Sequence, residues 1–393
     1  MDRRRFLIGA GCSVAAHPLM TTLTLAGAAG LGENRLIVVI LRGAMDGLDV
    51  VQPLGDAAFA GLRPGLAGGA LPLDGFFGLH PGLGGLMPLW TAGDVGFVHA
   101  TSTPYRDKRS HFDGQDLLEA GTGMDVAPGA QRDGWLNRML QAVPGLSAET
   151  AFAVGREAIP LLAGAAPVRN WAPEQKLELS AQSRLLLEHV YHDDPLFAGA
   201  ATEAMDLAAD LGEARMGEGL MAQAVPKFAD VDRLVAFAAQ RLRGDTRIAA
   251  FSLSGWDTHR GQQAAIAGPL SRLERVILQM QAALGAQVWG KTVLMAMTEF
   301  GRTAAENGSR GTDHGTGGAM VLAGGALRGG RVLGRWPGLA EAELYDRRDL
   351  MPTSDVRDWA AQAMQGLYGF DRAVLEGAVF PGLQMTGGAG LLR

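Results

Sequence analysis

Cysteine is nearly missing. The 393 residues contain one, Cys12, which excludes an internal disulfide framework and any cysteine-built zinc site. Charge is sparse as well. Asp, Glu, Lys and Arg make up 19% of the chain, 35 basic against 41 acidic for a net −6, and no run of five like charges occurs. That removes the basic stripe of a nucleic-acid binder and the polybasic patch of a membrane binder. The only apolar stretch near a basic cluster is broken by His17-Pro18, so no stable membrane span is expected in the mature protein. Apolar residues, by contrast, reach 47%, enough for a sizeable core and too many for a mainly disordered chain. Glycine is abundant too: 56 residues, about twice the average usage. There is no G-x-y period, so the chain is not collagen. The glycines alternate with Val, Leu and Ile, so it is not a flexible linker. They must serve turns, tight packing or close backbone approach.

The N-terminus reads Asp2-Arg3-Arg4-Arg5-Phe6-Leu7, followed by Ala, Gly, Leu and Thr to about Gly32, with Ala26-Gly27-Ala28 as a small-x-small cleavage point. This resembles a twin-arginine export signal; a general secretory signal is the alternative. The expectation is a signal peptide over residues 1–28 and a single domain over 29–393. The twin-arginine export machinery is then a partner, and the mature chain is periplasmic or secreted. Cys12 leaves with the signal, so any metal must be held by oxygen and nitrogen.

Leu36-Ile37-Val38-Val39-Ile40-Leu41 is a short run rich in β-branched residues and reads as a buried parallel strand. Val95–Ala100, Ala151–Val154, Ile159–Ala163, Arg247–Ser254, Thr292–Met297 and Ala319–Ala323 read as further strands. Helical spacing marks Ala57–Leu62, Leu83–Trp90, His111–Ala120 with Ser110 as N-cap, Trp135–Val143, Pro269–Leu284 and residues 355–368. Residues 173–246 read as a mostly helical insertion or cap, with His189 and His192 exposed on it. Strands alternating with helices imply a three-layer α/β/α sandwich with a largely parallel central sheet.

In such sheets ligands bind beyond the carboxyl ends of the strands, and there the polar residues gather. Arg42-Gly43-Ala44-Met45-Asp46-Gly47 follows the first strand, and Arg106 to His111 follows the second. Gly255-Trp256-Asp257-Thr258-His259 and Thr298-Glu299-Phe300-Gly301-Arg302-Thr303 follow two more. Gly311-Thr312-Asp313-His314-Gly315 precedes the strand at Ala319. Asp46, Asp257, Glu299, His111, His259 and His314 can meet at one sheet edge and offer ligands for Zn, Mn, Fe, Mg or Ca. Each has a plain alternative. Asp46 and Asp49 can cap a helix, Asp257 to His259 can be a turn, and Glu299 can pair with Arg302. His314, set among glycines, has little other employment, and Asp313 ranks below it. His80 and His99 sit among apolar residues and read as satisfied structural histidines. Ser110 is either an ordinary N-cap or a nucleophile at a helix N-terminus, where free N–H groups and Arg106, Lys108 and Arg109 favour an anion.

The segments Leu41 to Gly47, Arg109-Ser110-His111-Phe112-Asp113-Gly114-Gln115, Gly255 to His259, Thr298 to Thr303 and Thr312 to Gly318 together resemble the DUF1501 family of exported bacterial proteins. That family is in turn similar to the alkaline phosphatase superfamily. The resemblance implies an α/β/α sandwich, one or two divalent metal ions (Zn, Mn, Mg or Ca), and hydrolysis of phosphoric or sulfuric esters. It further implies Ser110 as nucleophile with His111 beside it, Arg109 and Arg302 on the anionic ester substrate, and Asp46, Asp257, His259, Glu299 and His314 as ligands. Position 300 departs from the superfamily, with Phe where His is usual, and His111 is the candidate replacement. The alternative reading is an exported binding or assembly protein that keeps the fold without catalysis.

Overall fold

Eight residues from Arg35 to Arg42 form strand β1, and all but the last are buried. Burial on both faces of an apolar strand means that layers cover the sheet above and below. The computed structural model describes residues 30–106, 108–126, 133–143, 145–155, 159–171, 228–387 and 390–393. The expected signal peptide and residues 173–227 of the expected helical insertion lie outside these. Apart from Phe228 and Ala229, the described residues belong to one unit, Thr21–Trp171 with Asp230–Arg393.

The strands that follow are β2 (Val51–Gln52), β3 (Leu71–Pro72), β4 (Gly78–Leu79), β5 (Val95–Ser102), β6 (Ala151–Val154) and β7 (Arg169–Trp171). Then come β8 (Ile248–Ser254), β9 (Thr292–Met297), β10 (Gly318–Ala323), β11 (Val332–Leu333) and β12 (Ser354–Asp355). The main sheet runs β11-β5-β10-β9-β1-β8-β6-β7, with β12 also on β5, and β2-β4-β3 make a small second sheet. All main-sheet pairings are parallel except those of β10, which is antiparallel to both β5 and β9.

Register positions the site. Arg42 pairs with Ser254 and Ile40 with Met297, so β1, β8 and β9 end together. Because β10 runs the other way, its first residue Gly318 lies opposite Thr101 near the end of β5. Five polar segments therefore meet at one edge, four leaving strands and one entering.

The helices include α1 (Gly47–Val50), α2 (His111–Ala120), α3 (Trp135–Gln141), α4 (Ala229–Arg243), α5 (Ala267–Trp289) and α6 (Val356–Tyr368). Helix α5 buries Leu270, Leu273, Ile277, Met280 and Leu284, an apolar stripe at helical spacing, and packs on β8 and β9. The expected strand Ile159–Ala163 is instead a 3-10 turn, Pro160–Leu162. Proline has no N–H for a ladder and its fixed φ suits the start of a turn.

His99 on β5 is a satisfied core residue. Its Nε2 lies 2.9 Å from the Val51 carbonyl and its Nδ1 accepts the Ala100 N–H at 2.8 Å, while its ring stacks on Phe77. Burial pushes the imidazole from 6.5 down to about 4, against the opposing bond to Val51. The folded chain keeps His99 neutral to about pH 4, whereas the unfolded chain protonates it near 6.5. Stability from this group is complete above the higher value and is lost as pH falls toward the lower one, by about 3 kcal/mol in all. A His99→Gln variant keeps a donor for Val51 and an acceptor for Ala100. Its urea midpoint should therefore fall less than the wild type's between about pH 7 and pH 4.5. Equal falls would show that His99 is not the group responsible.

Candidate metal centre

Asp257, three residues beyond the end of β8, is the focus of the five segments. Its Oδ1 lies 3.4 Å from His111 Nε2, 3.0 Å from His259 Nε2 and 3.2 Å from His314 Nε2. His259 Nε2 and His314 Nε2 are themselves 2.9 Å apart. The ligand atoms of His111, Asp257 and His314 all lie within 4.8 Å of one another.

The far side of each ring explains what these atoms present. His111 Nδ1 is 2.8 Å from Glu299 Oε1, His259 Nδ1 is 3.2 Å from Asp313 Oδ1, and His314 Nδ1 is 2.8 Å from the Arg109 carbonyl. Carboxylates and carbonyls only accept, so each Nδ1 donates and each neutral ring turns an Nε2 lone pair inward. Three lone pairs and a carboxylate oxygen facing one point repel each other unless a cation sits among them. His111 Nε2 is buried and makes no hydrogen bond. The contacts to Asp257, at 3.0 to 3.4 Å, are close to the ligand–ligand edges of about 3.3 Å expected for bonds near 2.0 Å, and His111, Asp257 and His314 form the compact trio, with His259 set against Asp257 and His314. Imidazoles anchored through their other nitrogen to oxygen acceptors are the usual support of a bound metal. The residues fit a divalent ion.

Local sequence builds this arrangement. Ser110 caps α2 and places His111 on its first turn. Arg109 takes a left-handed conformation, φ +52, and its carbonyl faces His314. Gly43 has φ +114, and a Cβ there would meet the Asp257 nitrogen at 2.7 Å; a Cβ on Gly311 would meet the His259 carbonyl carbon at 2.4 Å. Glycine at these two positions lets the loops touch through their backbones.

Electrostatics follow from the contacts. Burial pushes the Asp257 carboxyl up, but the hydrogen bond and charge of Arg302 outweigh it and hold the group at about 2. The Glu299 hydrogen bond raises His111, whereas burial lowers His314. Glu299 is fully buried; burial raises its carboxyl, but bonds from His111, Gln115 and Thr298 bring it below the usual range.

The other expected site residues stand around this cluster. Glu299 lies behind His111, accepting also from Gly43 N at 3.0 Å and Gln115 at 3.1 Å. Arg302 has no exposed surface, and its donors go to the carbonyls of Gly43, Ala44, Trp256 and Thr312 and to Asp257. Asp46 is 1% exposed and caps α1. Its oxygens take bonds from Arg63, Gln262, Thr312 and the N–H groups of Leu48 and Asp49. Ser110 accepts a long 3.4 Å bond from Asp113 N. Phe300, the departure from the superfamily pattern, forms a buried floor, its ring stacked 5.2 Å from that of His111.

Asp313 points away from its neighbour His314 and reaches His259, whose Nδ1 it meets at 3.2 Å. Arg348 and Asp349 carry no sequence motif and lie 34 and 35 positions beyond His314. Arg348 donates to the His314 carbonyl at 3.0 Å, and buried Asp349 is bridged by Arg348 at 2.9 Å and Arg109 at 3.5 Å.

No helix among the described residues is long and apolar enough to cross a membrane. No curated protein matches the chain. Among solved structures it is similar to a protein in the alkaline phosphatase superfamily from Vibrio parahaemolyticus, at 12% identity over 94% of this chain and 76% of that one, TM-score 0.39. It is also similar to the lipoteichoic acid synthase LtaP from Listeria monocytogenes, at 8% identity over 90% and 77%, TM-score 0.44. A third is the C-terminal periplasmic domain of EcEptC from Escherichia coli in complex with Zn, at 9% identity over 76% and 75%, TM-score 0.38. The family model described as protein of unknown function DUF1501 matches residues 100–376, a span that takes in every residue of the cluster, and the chain belongs to that family.

Proposed function

We propose that the protein is an exported, metal-dependent hydrolase of phosphoric or sulfuric esters, acting in the periplasm or outside the cell. The observation that carries this reading is the convergence of three Nε2 lone pairs on Asp257 Oδ1. His111, His259, His314 and Asp257 would hold one ion. Of the expected ions, imidazole ligands favour Zn over Mn, Mg or Ca, which prefer oxygen ligands. Such an ion polarises an ester oxygen and offsets negative charge that develops on it.

The chain's own residues supply the rest. Arg302 fixes Asp257 from a buried position and has no surface left for substrate. Arg109 and Arg348 are about one-third exposed, at 35% and 36%. Among the described residues, Arg109 bonds through its NH2 and Arg348 through its NH1. Their remaining donors suit the oxygens of an anionic group. Ser110 stands between Arg109 and His111 at the start of α2, where unpaired N–H groups favour negative charge. Its hydroxyl would attack the phosphorus or sulfur centre and lose its proton to solvent or a neighbouring base. The bond to the alcohol oxygen would break and release the alcohol, and water would then cleave the seryl ester to free phosphate or sulfate and restore Ser110.

Purification after native export, metal analysis and a panel of aryl phosphate, phosphodiester and sulfate esters test this. About one equivalent of a divalent ion, Zn foremost, and turnover of at least one ester class are expected. Ser110→Ala should retain the metal and lose activity by about a thousandfold or more. A protein that binds no divalent ion would overturn the reading. Undiminished activity of the Ser110 variant would remove the nucleophile alone.

A further inference from the structure

Helix α2 carries a polar stripe that the ligand set leaves unexplained. His111, Gln115 and Glu119 are spaced four residues apart, so they share one face. Leu117 and Leu118 beside them are buried, and Glu119 itself is 1% exposed. A buried carboxylate on an apolar helix face is costly unless it is paired and has a use.

The contacts run in one line. Glu119 Oε1 is 2.9 Å from Arg42 NH1, and Arg42 NH1 donates to Gln115 Oε1 at 2.8 Å. Gln115 Nε2 donates to Glu299 Oε1 at 3.1 Å, and that same oxygen meets His111 Nδ1 at 2.8 Å. Glu119 Oε2 accepts the Leu161 N–H at 3.1 Å, which ties the far end to the 3-10 turn Pro160–Leu162. Every amide is oriented by the charge behind it. Glu119 holds Arg42, and Arg42 can only donate, so Gln115 must turn its oxygen to Arg42 and its NH2 to Glu299. Glu299 is thereby held at the angle at which His111 presents its Nε2 lone pair inward.

We propose that Gln115, Arg42 and Glu119 are positioning residues for the metal centre, acting on His111 through Glu299. This rests on the reading of the cluster as a metal site. Partners behind a metal-bound histidine are worth about 10–100-fold in affinity, and the relay extends that support three residues further back, through Gln115 and Arg42 to Glu119.

The test uses the exported full-length protein, stripped with a chelator and titrated with Zn against a competing chromophoric chelator. Gln115→Met keeps the volume and removes both amide bonds; Glu119→Gln keeps the shape and removes the carboxylate charge that pairs with Arg42. Both should bind Zn about tenfold or more weakly, and the visible spectrum of their Co-substituted forms should shift. Phe112→Ala, on the exposed side of the same helix turn, should match wild type. A merely structural role would lower the melting temperature of the stripped variants and leave Zn affinity and the Co spectrum unchanged, and that result overturns the proposal. If wild type binds no Zn, the metal reading itself has failed.

Discussion

His314→Ala should release the metal. The variant removes one of three converging imidazoles, and loss of a partner behind such a ligand already weakens binding by about 10–100-fold. Loss of the ligand itself should exceed that. The expected readout is less than a tenth of the wild-type Zn retained after dialysis against a weak chelator. Stability should respond in an unusual way. Metal present at about 100 times its dissociation constant adds about 2.7 kcal/mol to the folded state, an increment His314→Ala should not show. The stripped forms should compare differently. With no cation, His314 Nε2 stands 2.9 Å from His259 Nε2 and 3.2 Å from Asp257 Oδ1, and its removal relieves that repulsion. Stripped His314→Ala should melt within about 1 kcal/mol of stripped wild type, or above it. A variant that keeps its Zn, or one that melts far below wild type only when both are stripped, would show that the imidazole is structural.

Most of the fold is legible in the sequence because its strands are central ones. β1, β9 and β10 are continuous apolar runs bounded by polar residues or glycine, β8 is interrupted only by Ser252, and their length separates them from helices. α2 is read to the residue, since Ser110 supplies an N-cap and Gly121 a left-handed stop. Short edge elements are not legible. Pro160 turns an apolar stretch into a 3-10 turn, and β7 at Arg169–Trp171 has three residues and no apolar pattern of its own. The direction of β10 is also hidden, since a buried strand reads the same whether it enters or leaves the sheet edge.

At the site, strand-end position identifies which residues gather, and the chemistry of each is decided by what stands behind it. Asp257, His259 and His314 face one another. Glu299 comes from the same kind of position, but its carboxylate is turned toward His111 Nδ1 and the Gly43 N–H. A sequence shows that an acid follows a strand, not which lone pair of a neighbouring ring it fixes. Arg302 illustrates the same limit. It follows a strand among polar residues and so reads as a partner of Glu299 or as a binder of the anionic substrate. Gly43, Ala44, Trp256 and Thr312 instead turn their carbonyls inward and absorb its donors. Those carbonyls belong to backbone that glycine-rich loops bring close together, which is where the excess of glycine is used.

Asp46→Ala should unfold much of the protein without touching the metal. Asp46 follows β1 as a ligand would, but its surroundings are those of a buried ion pair. Arg63 NH1 lies 2.7 Å from Asp46 Oδ2, and neither side chain is more than 1% exposed. Gln262 Nε2 bridges Asp46 Oδ2 at 2.6 Å and Asp49 Oδ2 at 2.8 Å. Burial raises the Asp46 carboxyl, but Arg63 outweighs it and holds the group ionised, whereas burial and the charge of Asp46 push Asp49 up. Removing Asp46 strands the Arg63 guanidinium in the interior at a cost of about 3–5 kcal/mol, and loss of the α1 cap adds about 1 kcal/mol. Against a total stability of about 5–15 kcal/mol, the variant should lose much of its urea midpoint and its yield. Asp46→Asn, which keeps the cap and an acceptor for Arg63, should lose less. The folded fraction of each should still carry wild-type Zn, because the cluster of His111, Asp257, His259 and His314 is intact. Normal stability with lost metal would reverse the assignment and make Asp46 a ligand.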